Sequence, residues 1–400
     1  MTTPSSSEKS LLQNLTEPVT LLGPGPSSVS TRVLQAMARP LLGYLDTDFR
    51  NILIEEQQWL RESFGTKNLL TFALSGTGMA GMECVMSNLL EPGETLLVGV
   101  NGFFGERMCE VASRHGIIVK RVEAEWGSPV DPHELNKKAG ECKPDAIAVV
   151  HAETSTGCLQ SLPPLASIAK NHNSLFITDC VTSIGGVLLQ IDEWSVDAAY
   201  AGSQKCLGAP PGLSPVTFSS RAVDRVRARK TPVSSWYHDI TLLEKYYIQS
   251  PAGYHHTPSN SLHYALLEAL QLLHTTETAA ATFDRHDRNH RALVAGANAL
   301  GLEMFVKEGF RTPMLNSIRV PDSVDEAKLR ARLREKNRIE IGAGLGKLKG
   351  KIIRIGLMGH SSRAANVILV LSSLGAALNE QGYKCSPGAA VEAAQNALKS

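Results

Sequence analysis

Residues 174–186 read SLFITDCVTSIGG. A short apolar run, Leu175 to Ile177, gives way to the carboxylate of Asp179 and then to small and polar residues closing on Gly185 and Gly186. That is the grammar of a strand buried on both faces whose carboxyl end opens onto a loop and a helix. The same unit recurs up the chain. LLTFAL runs into SGTG, TLLVGV into NGFFGER, and AIAVV into HAETSTG, each followed by a stretch with helical character. The repetition predicts an α/β fold with a mainly parallel sheet covered by helices on both faces. In such sheets ligands sit at the carboxyl ends of the strands, where each of these polar clusters falls.

At 400 residues the chain exceeds what one core usually holds, so a large domain and a smaller one are expected. Residues 1–20 are polar and Ser-rich and read as a mobile or docking arm, with a large domain over 21–275 and a smaller α+β domain over 276–400. The two are joined by one long helical pattern, LHYALLEALQLLHTTETAAATFDRHDRNHRALVAGANAL. Strands are expected at NSIRVP and KIIRIGLMG, a helix near DEAKLRARLREKN, and a final apolar helix around AANVILVLSSLGAAL packed on the small sheet.

Forty basic against 39 acidic residues leave a net charge of +1, which gives no electrostatic reason for a nucleic acid or an anionic membrane as partner. No apolar run reaches the roughly 20 residues of a membrane span, and MTTPSSSEKS lacks the marks of a targeting segment, so a cytoplasmic protein acting on small molecules is expected. Seven scattered cysteines show no metal-ligand spacing and read as reduced thiols.

The strand ends carry the chemistry. Gly76, Gly78 and Gly81 match G-x-G-x-x-G, which raises a nicotinamide-dependent oxidoreductase. The next strand, however, ends in Asn101 where that fold wants an acidic residue for the ribose. What remains is a helix N-terminus whose N–H groups at Thr77, Gly78 and Met79 suit a phosphate. Phe103 and Phe104 bring an aromatic face to the same edge, and Thr154, Ser155 and Thr156 bring hydroxyls. His151 and Glu153 invite an acid/base reading, but a polar strand terminus commonly satisfies backbone groups and no third member of a triad is at hand. Asp179, ending an apolar strand, needs a cation or a protonated nitrogen facing it.

About one helix and one strand later stands Lys205 in AYAGSQKCLGAPPG, residues 199–212, a lysine among small and apolar neighbours. A desolvated amine loses its proton more readily and becomes a nucleophile. A carboxylate for a ring nitrogen, an amine to form an imine and a helix N-terminus for a phosphate are what pyridoxal phosphate asks of a protein.

Taken together and in order, LLGPGPS, SGTG, EPG, NGFFGERM, HAETSTG, TDCVTS, GSQKCLGAPPG, YHHTPS, EIGAGLG and IRIGLMGHSSR resemble the class V aminotransferases of fold type I. The likeness is greatest to the alanine–glyoxylate and serine–pyruvate group. The resemblance implies a seven-stranded sheet in the large domain, pyridoxal phosphate as cofactor, and a homodimer whose sites lie at the subunit interface. Lys205 matches the imine-forming lysine and Asp179 the partner of the pyridine nitrogen. Thr77, Gly78, Met79 and Gln204 match the phosphate cup, Phe104 the ring-stacking position that is commonly Trp in the animal enzymes, and Thr154 a hydroxyl near the ring oxygen. Tyr254 and Thr257 match residues that reach the phosphate from the neighbouring subunit, and Arg354 the arginine for the substrate carboxylate. Gly25, in the loop Gly23 to Gly25, matches the lining of the substrate pocket, where a missing side chain leaves room for small amino acids.

The implied reaction moves an amino group from alanine or serine to a small 2-oxo acid, glyoxylate before pyruvate. The segment LGYLD at Leu42 to Asp46 departs from the animal pattern, which leaves ureidoglycine or 3-hydroxykynurenine open as donor. A cysteine desulfurase is disfavoured because Cys206 adjoins the lysine and no cysteine lies in a suitable mobile loop. His255 and His256 are not read as metal ligands, because adjacent residues seldom point at one ion.

Overall fold

A computed structural model describes residues 18–399 of the chain. The arm expected over 1–20 lies mostly outside the described residues.

The central sheet has seven strands: β1 (Leu70–Ser75), β2 (Thr95–Val100), β3 (Ile118–Glu123), β4 (Ala146–Val150), β5 (Leu175–Asp179), β6 (Ala198–Tyr200) and β7 (Leu213–Phe218). Their order is β1-β7-β6-β5-β4-β2-β3. β7 runs antiparallel to both neighbours and every other pairing is parallel. Apart from the edge strand β3, the strands are largely apolar because both faces are covered, and alternate residues feed different cores. Phe72, Leu74 and Ile177 enter one cluster with Phe49, Val85 and Met108; Ala73 and Phe176 enter the other with Leu60, Phe64 and Leu266. Helices α1 (Thr47–Phe64), α2 (Gly78–Leu89), α3 (Phe103–Arg114) and α4 (Asn260–Gln271) contribute to these layers.

β3, IVKRVE, was not foreseen. It pairs on one side alone and carries Lys120 and Arg121, charges that discourage edge-to-edge association and that also hide the strand from a search for apolar runs.

The long helix expected between the two halves is broken. α4 ends at Gln271, a π turn spans Leu272–Thr276, and α5 (Ala279–Ala299) starts afresh. Threonines cause the break. The Thr275 hydroxyl donates back to the carbonyl of Gln271 at 2.6 Å, and Thr278 adopts φ +69° while its hydroxyl accepts from the N–H of Ala281.

In the C-terminal part, β8 (Leu315–Arg319), β9 (Gly342–Ala343) and β10 (Ile352–Gly356) form an antiparallel sheet in the order β8-β10-β9. It shares a core with α5, α6 (Glu326–Asn337) and α7 (Ala364–Glu380), built from Leu293, Leu329, Ile353, Ile355, Leu371 and Leu374. α7 is not the final helix. α8 (Pro387–Lys399) follows and packs through Ala390 and Ala394, side chains too small to announce an apolar stripe.

The described N-terminal segment crosses to this C-terminal core before reaching the large sheet. Thr20 and Leu21 pair in parallel with Ile339 and Glu340, Leu22 is fully buried among the C-terminal residues, and its carbonyl accepts from the N–H of Gly356 at 2.8 Å.

Candidate active site

β1, β2, β4, β5 and β6 all end at one edge, and the turn after β6 carries Lys205 back to it. There Thr77, Gly78, Met79, Phe104, Thr154, Asp179, Gln204 and Lys205 line a single cavity of about 110 Å³, with Met82, Val150 and Val181 between them. These residues come from five separate segments of the sequence, and the sheet is what joins them.

α2 begins at the cavity. Its N-cap, Thr77, makes no side-chain capping bond, so the first N–H groups of the helix have no side-chain partner of that kind. The glycines of this turn serve packing. Gly76 takes φ +126°, and a β-carbon on Gly81 would lie 2.2 Å from the Ser214 hydroxyl, so α2 can approach β7 only with glycine there. Gly78 is equally confined, with a β-carbon falling 2.7 Å from Val181.

Asp179 closes β5 and is 4% exposed. Burial pushes its carboxyl up to about 7, against the N–H of Val181, which donates to Oδ1 at 2.8 Å, and against the positive charge of Lys205. Lys205 moves the other way. Burial brings its ammonium down to about 8, and the nearby Arg354 charge acts in the same direction, while Cys206 and Asp179 oppose. Its Nζ donates to the carbonyl of Pro24. Gly25 follows at φ +115°, and a β-carbon on it would come within 2.5 Å of that Nζ.

Arg354 sits on β10, 4% exposed, facing the same region. Its Nε donates to the carbonyl of Ala343 at 2.6 Å and its Nη1 to the carbonyl of Thr154 at 2.9 Å. Burial lowers it to about 10, opposed by the charge of Glu153, and it stays protonated at neutral pH. The Thr154 hydroxyl pairs with that of Thr182.

The donor set fits pyridoxal phosphate. Uncapped helix N–H groups suit the phosphate, Phe104 supplies an aromatic face, and a carboxyl and an amine are both held near neutral pKa. The Oε1 of Gln204, buried and without a protein partner among the described residues, lies at the same cavity.

Tyr254 and Thr257 are not brought to this cavity. Both are exposed, and the Tyr254 ring lies 5.1 Å from that of Tyr44. His255 and His256 face each other through Nδ1 atoms 2.8 Å apart, with His255 stacked on Trp236. Among the described residues no three His, Cys, Asp or Glu gather as a metal site, and no helix is long and apolar enough to cross a membrane. Sequence reasoning missed the Pro24 carbonyl and Thr182. It set Glu153 aside as an acid or base, and the structure shows it bonding backbone N–H groups at the start of α3.

The family described as aminotransferase class V matches residues 25–365. The chain is 36% identical to the (S)-ureidoglycine–glyoxylate transaminase of Bacillus subtilis over 393 residues, 94% of each chain. It is 39% identical to the alanine–glyoxylate aminotransferase of Drosophila melanogaster, covering 90% of this chain and 92% of that one. Among solved structures, ureidoglycine–glyoxylate aminotransferase from B. subtilis superposes with a TM-score of 0.94 at 36% identity, over 98% of this chain and 100% of the other. Alanine–glyoxylate aminotransferase from Nostoc sp. does so with a TM-score of 0.88 at 41% identity, over 93% and 100%. The comparisons lend no support to the oxidoreductase reading of Gly76 to Gly81: the chain is an aminotransferase and belongs to the class V family.

Proposed function

We propose that this aminotransferase uses pyridoxal phosphate to move an amino group from a small amino acid, alanine or serine, to glyoxylate, in two half-reactions served by the same residues. The observation that carries the reading is the meeting of Asp179 and Lys205 in one cavity beside the uncapped start of α2.

Pyridoxal phosphate, when bound, supplies an electron sink that makes the Cα proton of an attached amino acid removable. Asp179 would hold a proton at the ring nitrogen, its carboxylate stabilised there by the cation it creates. Lys205, whose proton leaves near pH 8, is suited to take the Cα proton and return it. Arg354 would bind the substrate carboxylate, its guanidinium already oriented by the carbonyls of Ala343 and Thr154. Thr77, Gly78, Met79 and Gln204 would take the phosphate, with Phe104 against the ring. Gly25 packs against Lys205, so any side chain at this position would crowd the amine.

Ureidoglycine is the second donor to weigh, because the match to the B. subtilis ureidoglycine–glyoxylate enzyme spans nearly the whole of both chains. Glyoxylate is common to the names of both relatives. Exposed Tyr254 and Thr257, together with exposed Leu41 and Trp236, support a homodimer in which these residues complete the neighbour's phosphate site.

The test is absorbance. Protein supplied with pyridoxal phosphate is expected to gain a band near ~400 nm, a property of the bound cofactor. L-alanine, L-serine and ureidoglycine are then added separately, and glyoxylate is used to restore the band. If none of the three donors bleaches it, the small-donor assignment is wrong.

A further inference from the structure

Glu153 is fully buried, distant in sequence from α3, and it caps that helix. Its Oε2 accepts from the N–H of Phe104 at 3.1 Å and of Gly105 at 3.3 Å; its Oε1 accepts from the N–H of Ser155 at 2.9 Å and from the Ser155 hydroxyl at 2.6 Å. Ser155 Oγ in turn accepts from the N–H of Phe103 at 2.9 Å. The local N-cap, Gly102, has no side chain to do this work. Nor could it acquire one: a β-carbon on Gly102 would lie 2.3 Å from Glu153 Cγ and 2.6 Å from Ser155 Oγ.

Every group facing the two carboxyl oxygens is a donor, which is an arrangement for an ionised carboxylate. Burial pushes the Glu153 carboxyl up, while those same donors act to hold its charge. A negative charge at a helix N-terminus also opposes the positive end of the helix dipole. The next residue, Thr154, gives its carbonyl to Arg354. One short hairpin, Ala152–Glu153 paired with Cys158–Leu159, therefore ties down both the aromatic face and the guanidinium.

We propose that Glu153 is a positioning residue that sets the Phe104 ring against the cofactor by capping α3 from across the site. The role rests on the cofactor reading given above. It does not involve proton transfer by Glu153, since its oxygens are occupied by N–H and O–H donors.

A double-mutant cycle on cofactor uptake tests it. Apoprotein is titrated with pyridoxal phosphate for the wild type, Glu153→Gln, Phe104→Ala and the double variant, following absorbance and protein fluorescence. Gln presents an amide N–H₂ to one pair of donors, so Glu153→Gln is expected to weaken uptake by about tenfold or more. In the Phe104→Ala background the same change is expected to cost less than about twofold, because the side chain it positions is gone.

Equal losses in the two backgrounds, or unchanged uptake by Glu153→Gln, would overturn the proposal. If Glu153→Gln does not fold, Ser155→Ala replaces it in the cycle, since it removes one donor from the carboxylate and the acceptor for Phe103. Wild-type protein that takes up no pyridoxal phosphate would instead sink the cofactor reading itself.

Discussion

Gly25 rests on Lys205: its position leaves 2.5 Å between a β-carbon built there and the lysine Nζ, and its φ of +115° is one that L side chains avoid. Gly25→Ala is therefore expected to displace the amine and strain the loop at once. A misplacement of about 1 Å at a reacting group can cost about a hundredfold in rate. Steady-state kinetics and circular dichroism together should show turnover down by that order with the fold retained. Near-normal turnover would mean that the loop yields without disturbing the lysine.

The lysine makes a second, pH-dependent test possible. Folded Lys205 releases its proton near pH 8, unfolded at the ordinary 10.5, so between these values the unfolded chain holds more protons. The destabilisation it causes is full below pH 8 and fades as pH rises toward 10.5. Lys205→Met removes a term of about 3 kcal/mol at most. Calorimetry on the apoprotein should find the variant melting above wild type at pH 7, with the gap closing by pH 10. The same variant should have no transaminase activity. A melting gap independent of pH would contradict the desolvated amine.

Asp179 behaves in the opposite sense. Its folded pKa of about 7 lies above the ordinary 3.8, so the native apoprotein holds the extra proton between pH 4 and 7. That contribution to stability is present below pH 4 and lost as pH climbs through 7. Asp179→Asn should flatten this dependence. With cofactor added, it should still bind but turn over on the order of a hundredfold more slowly, the scale of a lost proton-holding group. Ordinary turnover in Asp179→Asn would refute the role assigned to the carboxylate.

For Arg354→Lys, the planar fork that spans Ala343 and Thr154 is replaced by a point charge. KM for both amino donor and 2-oxo acceptor should rise about tenfold or more, with kcat less affected. Unchanged KM values would place the carboxylate elsewhere.

How much of this was legible in the sequence follows from what each element depends on. β4 and β5 announced themselves because strands covered on both faces must be apolar throughout, and their polar ends marked the site edge. β3 stayed hidden because an edge strand solves a different problem and carries Lys120 and Arg121. The break after Gln271 depends on hydroxyls of Thr275 and Thr278 that bond backbone locally, a choice no apolar periodicity records. Asp179 and Lys205 were legible because each is a costly residue in its surroundings. Glu153 was visible as a residue but not as a cap, since its partners at Phe104 and Gly105 lie 49 and 48 positions away and are brought near by the sheet.

The path of the chain through Leu22 has a mechanical corollary. Leu22 is fastened to Gly356 on β10, the strand that holds Arg354, and two residues later the Pro24 carbonyl covers the amine of Lys205. The carbonyl over the amine and the guanidinium proposed to seat the incoming acid are thus held by one strand, and Ser27, three residues on, ties the same segment to the carbonyls of Gln204 and Lys205. Loosening Leu22 from Gly356 would therefore disturb the cover on the amine and the bed of the guanidinium together.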